Sequence, residues 1–203
     1  MKTIELHGDS TQFGSAYAGG GTYVRTQFPP SKMVQMMVDA DYGAGNFLIK
    51  NLGVGGSTAN DALTTSNLYC NGTKTFAQHI ASSDADVIVC NWCINDAHSV
   101  GHTVAKHIAE YNSLKNIVQG AGKVFVAETA NPLTTPHAGI VANYRAALVA
   151  NGGHVIDTHD AITRWYPSYP MHLEDGVHPN AIMYTFIGQF VYNRLSQLGC
   201  FNP

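Results

Sequence analysis

The sequence predicts an α/β protein, a three-layer α/β/α sandwich around a mainly parallel sheet of five strands. The first observation is that short runs of β-favouring apolar residues alternate with amphipathic segments along the whole chain. The second is that polar clusters follow several of these runs, where the strands of a parallel sheet end. The third is composition: 203 residues, 45% of them hydrophobic and 12% charged, suit one domain with a sizeable core, spanning 1–203.

Five runs are predicted as strands because each is rich in β-favouring residues and is bounded by polar residues or glycine. They are TIEL at 3–6, NFLIKNLG at 46–53, DVIVCNWC at 86–93, KVFVAET at 123–129 and HVIDTHD at 154–160. The glycine-rich segment GSAYAGGGTY, 14–23, is predicted to be a long flexible loop. It lacks the Gly-Lys-Ser/Thr ending of a phosphate-binding loop.

Helices are predicted between and after these strands from apolar periodicity and from Pro or Gly at the segment ends. They are PSKMVQMMVDADYG at 30–43, STANDALTTS at 57–66, TKTFAQHIASS at 73–83, HTVAKHIAEYNSLKNIVQGAG at 102–122, AGIVANYRAALVANGG at 138–153 and HPNAIMYTFIGQFVYNRLSQLG at 178–199. The resulting order of strand and helix favours a parallel sheet with its ligand site at the carboxyl ends of the strands.

The charge balance argues against nucleic acid or an anionic membrane as a partner, since the chain has 11 Lys and Arg, 14 Asp and Glu, and no long basic run. The apolar runs fall short of a membrane span, and MKTIELHGDS lacks the apolar stretch of a signal peptide. We therefore expect a soluble protein acting on a small or glycan ester substrate. Its localisation stays open, with a secreted mature form or a viral or appendage protein among the alternatives, and so does its oligomeric state.

The four cysteines are too few and scattered to form a disulfide framework. Cys90 and Cys93 form a C-x-x-C at the end of a predicted strand, whereas redox motifs of this spacing open a helix, so we expect no redox role. Cys70 and Cys200 would be able to pair in an exported protein, and the sequence leaves this open.

Four polar clusters follow predicted strands or precede the last helix: GDS at 8–10, NLGVGGST at 51–58, CIND at 93–96 and EDGVHPN at 174–180. Taken one at a time, each has a structural interpretation. Asp9 or Ser10 can cap a helix, Gly56 can form a tight turn, Asn95 can be a turn or cap residue, and His178 can cap the last helix. The alternative for Ser10 is a nucleophile at a strand end, which requires a histidine, a carboxylate and oxyanion donors.

In this order the four clusters resemble the motif blocks of the SGNH hydrolase superfamily, also called GDSL esterases and lipases, and the resemblance spans nearly the whole chain. It implies a flavodoxin-like fold and a serine esterase without metal or cofactor. It also implies that Ser10 is the nucleophile, that His178 is its general base, and that Asp175 orients His178. Glu174, the neighbouring carboxylate, is expected to be solvated or structural. A carboxylate three residues before an imidazole can bond one ring nitrogen and leave the other facing the serine.

The same resemblance implies that the backbone N–H groups of Ser10 and Gly56 and the Asn95 amide bind the oxyanion. At Gly56 the missing Cβ is expected to let the backbone approach closely. The sequence departs from the family pattern at Thr11, which replaces the Leu of GDSL, and at Cys93, which replaces the Gly of G-x-N-D. We expect Cys93 to narrow the acyl pocket or to leave a thiol near the site, but not to be the nucleophile, because no histidine accompanies it in the motif.

Metal binding is not expected, because His98 and His102, four residues apart on a possible helix, have no third ligand at metal-site spacing. Substrate contacts are predicted for Trp92, Trp165 and Tyr166, with Tyr169 nearby, although aromatic residues of a Pro-containing loop also pack against a domain.

A chain of this length leaves little room for a lid, so we expect short acyl esters, preferably O-acetyl groups on carbohydrate. The alternatives are a lysophospholipase or thioesterase, and a noncatalytic carbohydrate-binding module. Activity is expected to rise as His178 loses its proton, and chelators are expected to leave it unchanged.

Overall fold

A computed structural model describes residues 1–65 and 74–202 of the chain. Its strands are Lys2–Gly8 (β1), Ser15–Tyr17 (β2), Tyr23–Arg25 (β3), Phe47–Gly53 (β4), Val87–Asn91 (β5), Val124–Glu128 (β6) and Val155–Ile156 (β7). Its helices are Ser10–Phe13 (α1), Pro30–Tyr42 (α2), Ala59–Thr64 (α3), Phe76–Ser82 (α4), Ile94–His98 (α5), Val104–Gly120 (α6), Ala138–Asn151 (α7), Thr158–Trp165 (α8) and Ala181–Gln197 (α9), with a 3-10 turn at Tyr169–His172. Cys70 lies outside the described residues, and so does the end of the predicted helix at 57–66 and the start of that at 73–83.

Five strands form one parallel sheet in the order β4-β1-β5-β6-β7. If these five strands are numbered by their order along the chain, the sheet order is 2-1-3-4-5. The chain therefore places β4 on one side of β1 and then places β5, β6 and β7 on the other side. Gly8, the last residue of β1, pairs with Gly53 of β4 and with Asn91 of β5. The carboxyl ends of the three strands are therefore level, and the segments that follow them meet at one edge.

Both faces of the sheet are buried, because successive side chains of a strand point to opposite faces. On β1, Ile4 and Leu6 pack with α2 and α9, while on β5 Ile88 and Cys90 pack with the helices of the opposite face, α3, α4 and α6. The predicted three-layer α/β/α architecture and the mainly parallel five-stranded sheet are confirmed. No helix in the described ranges is long and apolar enough to cross a bilayer.

The glycine-rich segment 14–23 is not a simple loop. Strands β2 and β3 form an antiparallel hairpin, with Tyr17 opposite Tyr23. Gly19, Gly20 and Gly21 form its tip with positive φ. The prediction failed because three consecutive glycines mask the short β-favouring runs on either side of them.

The predicted fifth strand, 154–160, is also shorter than expected. Strand β7 ends at Ile156, and α8 begins at Thr158, because the Asp157 side chain accepts a hydrogen bond from the Asp160 N–H (3.2 Å) and caps the helix. Arg145 of α7 forms an ion pair with Asp157 and holds it there. A helix cap thus overrode the β propensity of this segment.

Candidate active site

Ser10 is the first residue of α1, directly after the end of β1. Asp9 is the N-cap of this helix: its Oδ1 accepts hydrogen bonds from the Thr11 N–H (2.9 Å) and the Thr11 hydroxyl (2.8 Å). Burial raises the pKa of Asp9. Thr11, at the position of the motif Leu, therefore anchors the cap, and capping by Asp9 coexists with the presentation of Ser10.

The structure brings Ser10, His178 and Asp175 into one hydrogen-bonded chain. Ser10 Oγ lies 2.9 Å from His178 Nε2, and His178 Nδ1 lies 2.7 Å from Asp175 Oδ2. Ser10 and His178 are 168 residues apart in sequence. All three residues are partly buried and keep some contact with solvent.

The loop before α9 fixes the orientation of the imidazole. Asp175 Oδ1 accepts the backbone N–H groups of His178 (2.7 Å) and Val177 (2.9 Å), while Gly176 takes a φ of +78°. Burial raises the pKa of Asp175, but the hydrogen bonds from these two N–H groups and the imidazole outweigh it, and the pKa lies below the usual range. Asn180, rather than His178, caps α9.

Glu174, the neighbouring carboxylate, is exposed to solvent. Its position agrees with the solvated role expected for it, and it leaves Asp175 as the carboxylate that contacts His178.

Gly56 lies in the segment that follows β4, with a φ of +77°. A Cβ at this position would meet no atom within 4 Å, so glycine is required by the left-handed backbone conformation and not by close approach, contrary to the sequence-based argument. The segment is joined to the end of β1, because Val54 N–H donates to Gly8 O (2.9 Å). Gly56 is therefore held at the same edge as Ser10.

Asn95 lies at the start of α5, on the other side of β1. Its Nδ2 donates to Ser57 O (3.0 Å), which connects α5 to the Gly56 segment. An amide carries two N–H donors, so this bond fixes the side chain and leaves a second donor. The structure thus gathers the Ser, Gly, Asn and His motif segments at one sheet edge.

Cys93 is the N-cap residue of α5 and is 4% exposed, packed against Ala97, Ala130 and Leu133. Burial raises the pKa of its thiol well above the ordinary value, and the Asp96 carboxylate acts in the same direction. A protonated, buried thiol is a poor nucleophile. Neither Cys90 nor Cys93 is in a disulfide.

Three aromatic residues predicted to contact substrate lie elsewhere. Trp92 has no exposed surface, and its Nε1 donates to Ser57 Oγ (2.9 Å), so its predicted place at the cleft rim is wrong. Trp165 is exposed but packs edge-on against Phe190 of α9, in a groove lined also by Asp157 and Arg194. That groove lies on the flank of the α8 and α9 helices.

Tyr166 packs on His172 and Phe186, and together with Tyr169 it covers the core beneath α9. These aromatic residues therefore serve packing, which the sequence analysis had kept as the alternative to substrate binding.

Tyr23 is the aromatic residue that contacts the site, and the sequence analysis did not select it. Its ring lies 4.8 Å from that of His178, centroid to centroid, and 5.6 Å from that of Tyr17. Burial and the nearby Asp175 carboxylate raise the pKa of Tyr23. The residue is 51% exposed, so its free surface is available to a ligand. The two Tyr residues that flank the glycine run, Tyr17 and Tyr23, were the available sequence signal.

Comparison with known proteins gives matches at the level of structure. No family model and no curated protein matches the chain. A lipase/acylhydrolase from Enterococcus faecalis is similar at 20% identity and a TM-score of 0.73, covering 98% of this chain and 97% of that chain. An acetylxylan esterase from Geobacillus stearothermophilus is similar at 17% identity and a TM-score of 0.71, covering 96% and 94%.

A protein of the G-D-S-L family from Desulfitobacterium hafniense DCB-2 is similar at 14% identity and a TM-score of 0.71, covering 96% of this chain and all of that chain. Structures of the acetylxylan esterase with a serine or a histidine replaced are described as catalytic mutants. Over nearly its whole length, the chain therefore has the α/β/α fold of these esterase and lipase structures.

Proposed function

We propose that this protein is a serine ester hydrolase that removes short acyl groups, foremost O-acetyl groups on carbohydrate. The observation that carries the proposal is the hydrogen-bonded chain Ser10, His178, Asp175 at the carboxyl end of β1. An imidazole that contacts a serine hydroxyl and is held by a carboxylate activates that hydroxyl for attack on a carbonyl carbon.

In the acylation step, His178 Nε2 takes the proton of Ser10 Oγ as that oxygen attacks the ester carbonyl. Asp175 holds the second proton of the imidazole at Nδ1 and stabilises the imidazolium that forms. The imidazolium then gives its proton to the alcohol that leaves, and the acyl group remains on Ser10. Water activated by His178 releases the acid in a second step and regenerates the serine.

Three donors would bind the oxyanion. Ser10 is the first residue of α1, where a backbone N–H has no partner within the helix. Gly56 N–H and the second Nδ2–H of Asn95 come from the segments joined at Ser57 O. Donors fixed before the reaction stabilise a developing charge without the cost of reorganisation.

The surface around Ser10 supports the proposed substrate class. Gly55 and Gly56 are exposed, and Tyr23 presents half of its surface beside His178. An open edge with a tyrosine ring suits a small acyl group carried on a bulky alcohol, because sugar rings pack on aromatic faces. The similarity to a structure described as an acetylxylan esterase supports the same substrate class.

The test is hydrolysis of p-nitrophenyl acetate, butyrate and octanoate by the wild type and Ser10→Ala. A matched control is Ser113→Ala, since Ser113 is an exposed serine whose hydroxyl bonds only its own helix, at Ala109 O (2.9 Å). We expect Ser10→Ala to lose activity by on the order of 10⁴-fold or more, and Ser113→Ala to keep it. Equal activity in all three proteins would overturn the proposal.

A second assay addresses the acyl group and its carrier. Acetate release from acetylated xylooligosaccharides is compared with turnover of the p-nitrophenyl series. Release of acetate with weak octanoate turnover supports the carbohydrate substrate. Faster turnover of octanoate would instead identify a lipolytic enzyme, and binding of the oligosaccharide without acetate release would identify a noncatalytic module.

A further inference from the structure

A second cluster of ionisable side chains lies behind Asn95, between α5 and α6. Asp96, His107 and Glu110 are 0%, 1% and 6% exposed, and the His102 side chain is equally enclosed. One carboxylate oxygen of Asp96 and one ring nitrogen each of His102 and His107 lie within 4.8 Å of one another. Two carboxyl groups and two imidazoles are thus gathered in a nearly dry space that the proposed reaction does not use.

Two atoms of this cluster have no hydrogen-bond partner among the residues that the structure describes. They are His107 Nδ1 and Glu110 Oε1, both buried. The nearest charge to Glu110 Oε1 is the exposed Lys106 ammonium at 3.8 Å, beyond hydrogen-bonding distance. Buried polar atoms are normally hydrogen-bonded, so a nitrogen and a carboxylate oxygen in this space are both available to bind a cation.

The contacts of Tyr144 determine which His102 nitrogen faces the cluster. Tyr144 Oη donates to His102 O (3.0 Å) and therefore accepts from His102 Nδ1–H (2.7 Å). His102 Nε2 then faces Glu110 Oε2 (2.9 Å) and Asp96 Oδ1 (3.6 Å). Two carboxylates around one ring nitrogen stabilise a positive charge at this place, either a proton on Nε2 or a metal ion bound to it.

Tyr144 also stacks on His107, with ring centroids 4.4 Å apart and an angle of 11°. One tyrosine therefore orients both imidazoles, through a hydrogen bond to His102 and through stacking on His107. Outer partners that fix the tautomer and the orientation of histidines are typical of metal centres.

We propose that Asp96, His102 and His107 bind a divalent transition-metal ion, best matched by Zn²⁺, with the Glu110 carboxylate as the fourth ligand. Imidazole and carboxylate are ligands of Zn²⁺, which prefers four of them in a tetrahedron at about 2.0–2.2 Å. The ligand atoms of Asp96, His102 and His107 lie within 4.8 Å of one another, and Glu110 Oε2 lies 2.9 Å from His102 Nε2, so an ion can be held after side-chain adjustments. Two carboxylates neutralise its charge in the buried space.

The role of this ion is structural. Asp96 Oδ1 also accepts the N–H of Ala59 (3.1 Å), the first residue of α3, which follows the Gly56 segment. An ion at Asp96 would thus connect α5 and α6 to the segment that carries Gly56. It supplies no group to Ser10 or His178, so the expected insensitivity of the reaction to chelators is retained.

This proposal departs from the metal-free expectation drawn from sequence spacing. His98 and His102 do not form a pair: His98 ends α5 and packs against His137 on the surface. The missing ligands come from Asp96 and His107, which sequence spacing alone does not align with His102.

Another cluster, Glu5 with His7 and His79, is less suited to an ion. Glu5 Oε2 already accepts from both imidazoles (3.1 and 2.9 Å), and Oε1 accepts from Ser83 Oγ (2.8 Å). The Lys50 ammonium lies 3.7 Å from Glu5 Oε1, so a cation is already present beside this carboxylate.

The experiment titrates Zn²⁺ into chelator-treated full-length protein by calorimetry and follows Tm. We expect one ion per chain and a rise in Tm for the wild type, and a more than tenfold weaker affinity for His107→Gln, since even loss of an outer partner costs about 10- to 100-fold. His79→Gln and His98→Gln are matched controls that remove a histidine from the other cluster or from the surface pair, and both should bind like the wild type.

Cobalt(II) gives a readout in the wild type that does not depend on any variant folding. Visible absorption bands typical of a four-coordinate site with nitrogen and oxygen ligands would support the proposal, and the spectrum of hexaaquo cobalt would overturn it. The proposal would also be overturned if His79→Gln or His98→Gln lost the heat of Zn²⁺ binding while His107→Gln kept it. A Tm that stoichiometric Zn²⁺ leaves unchanged would overturn it as well.

Discussion

Replacement of Asp175 by Asn separates orientation of the imidazole from the architecture of its loop. The amide oxygen of Asn can still accept the Val177 and His178 N–H groups now bonded by Asp175 Oδ1. Its Nδ2, however, would stand where Asp175 Oδ2 lies 2.7 Å from His178 Nδ1, and an amide nitrogen only donates. His178 must then accept at Nδ1 and carry its proton on Nε2, which faces Ser10 Oγ at 2.9 Å.

A protonated Nε2 cannot take the serine proton, and the variant also lacks the negative charge that stabilises the imidazolium. The loss expected for the wrong tautomer is about 10⁴-fold in kcat. At 1.36 kcal/mol per factor of ten, this corresponds to about 5 kcal/mol of activation free energy. The assay is the pH-dependent kcat and KM for p-nitrophenyl acetate, with KM expected to change little because Asp175 does not contact the substrate.

Glu174→Gln is the matched control, because it removes the same charge one residue away from an exposed side chain. It should keep activity within about twofold of the wild type, since exposed charges away from the site contribute little. An Asp175→Asn variant that keeps activity within about tenfold, or a Glu174→Gln variant that loses as much as Asp175→Asn, would refute the reasoning.

The same pair of variants tests stability. Because folding lowers the pKa of Asp175, its ionised form stabilises the native state above the ordinary Asp pKa, and this contribution is lost as pH falls through the lowered value. Asp175→Asn should therefore lower Tm at pH 7 and lose this difference in strong acid. A constant difference in Tm across this range would show that the charge of Asp175 contributes nothing to stability.

Three further outcomes are expected. Asn95→Ala should reduce kcat by about 10²- to 10³-fold with a small change in KM, as loss of one oxyanion donor does; an unchanged kcat in stopped assays would remove Asn95 from the oxyanion site. Trp92→Phe should lower the free energy of unfolding by about 1–3 kcal/mol in urea titrations, because a buried hydrogen bond is lost. Tyr23→Ala should instead raise KM for acetylated sugars. A raised KM in Trp92→Phe and an unchanged KM in Tyr23→Ala would restore Trp92 as the substrate contact. The acid limb of kcat/KM should fit a single ionisation, because the lowered pKa of Asp175 keeps that carboxylate charged in this range, and a slope of two would contradict this.

The layers of the fold and the positions of the motif segments were predictable from local patterns. Apolar runs such as 86–93 and amphipathic segments such as 102–122 differ in period, and the period decides between strand and helix. Ser10, Gly56 and Asn95 were placed at one edge because parallel strands end on the same side of a sheet. The short helix α8 was missed because the β-favouring residues before it drew attention from its N-cap, Asp157, which in the structure also forms an ion pair with Arg145 of another helix.

Which aromatic side chain reaches the site was decided by tertiary structure. Trp92 follows β5 and is close to Asn95 in sequence, yet the alternation of side chains along the strand places it in the core beneath Ser57. Tyr23 is far from every motif in sequence, and the hairpin of β2 and β3 folds it against His178. Closeness to a motif in sequence therefore selected Trp92, which does not reach the site, and passed over Tyr23, which does.

The sequence by itself determined the α/β class, the succession of the five main strands and the long helices along the chain, and the four motif segments, because strand and helix periods and turn residues are local properties. Only the tertiary structure decided the 2.9 Å contact of Ser10 with His178, the packing of Tyr23 and the gathering of Asp96, His102 and His107. These contacts join residues on different elements, and packing of the helices against the sheet sets their distances. Residue spacing along a chain specifies which side chains share a helix turn or a strand face, whereas a site built across elements exists only after they pack.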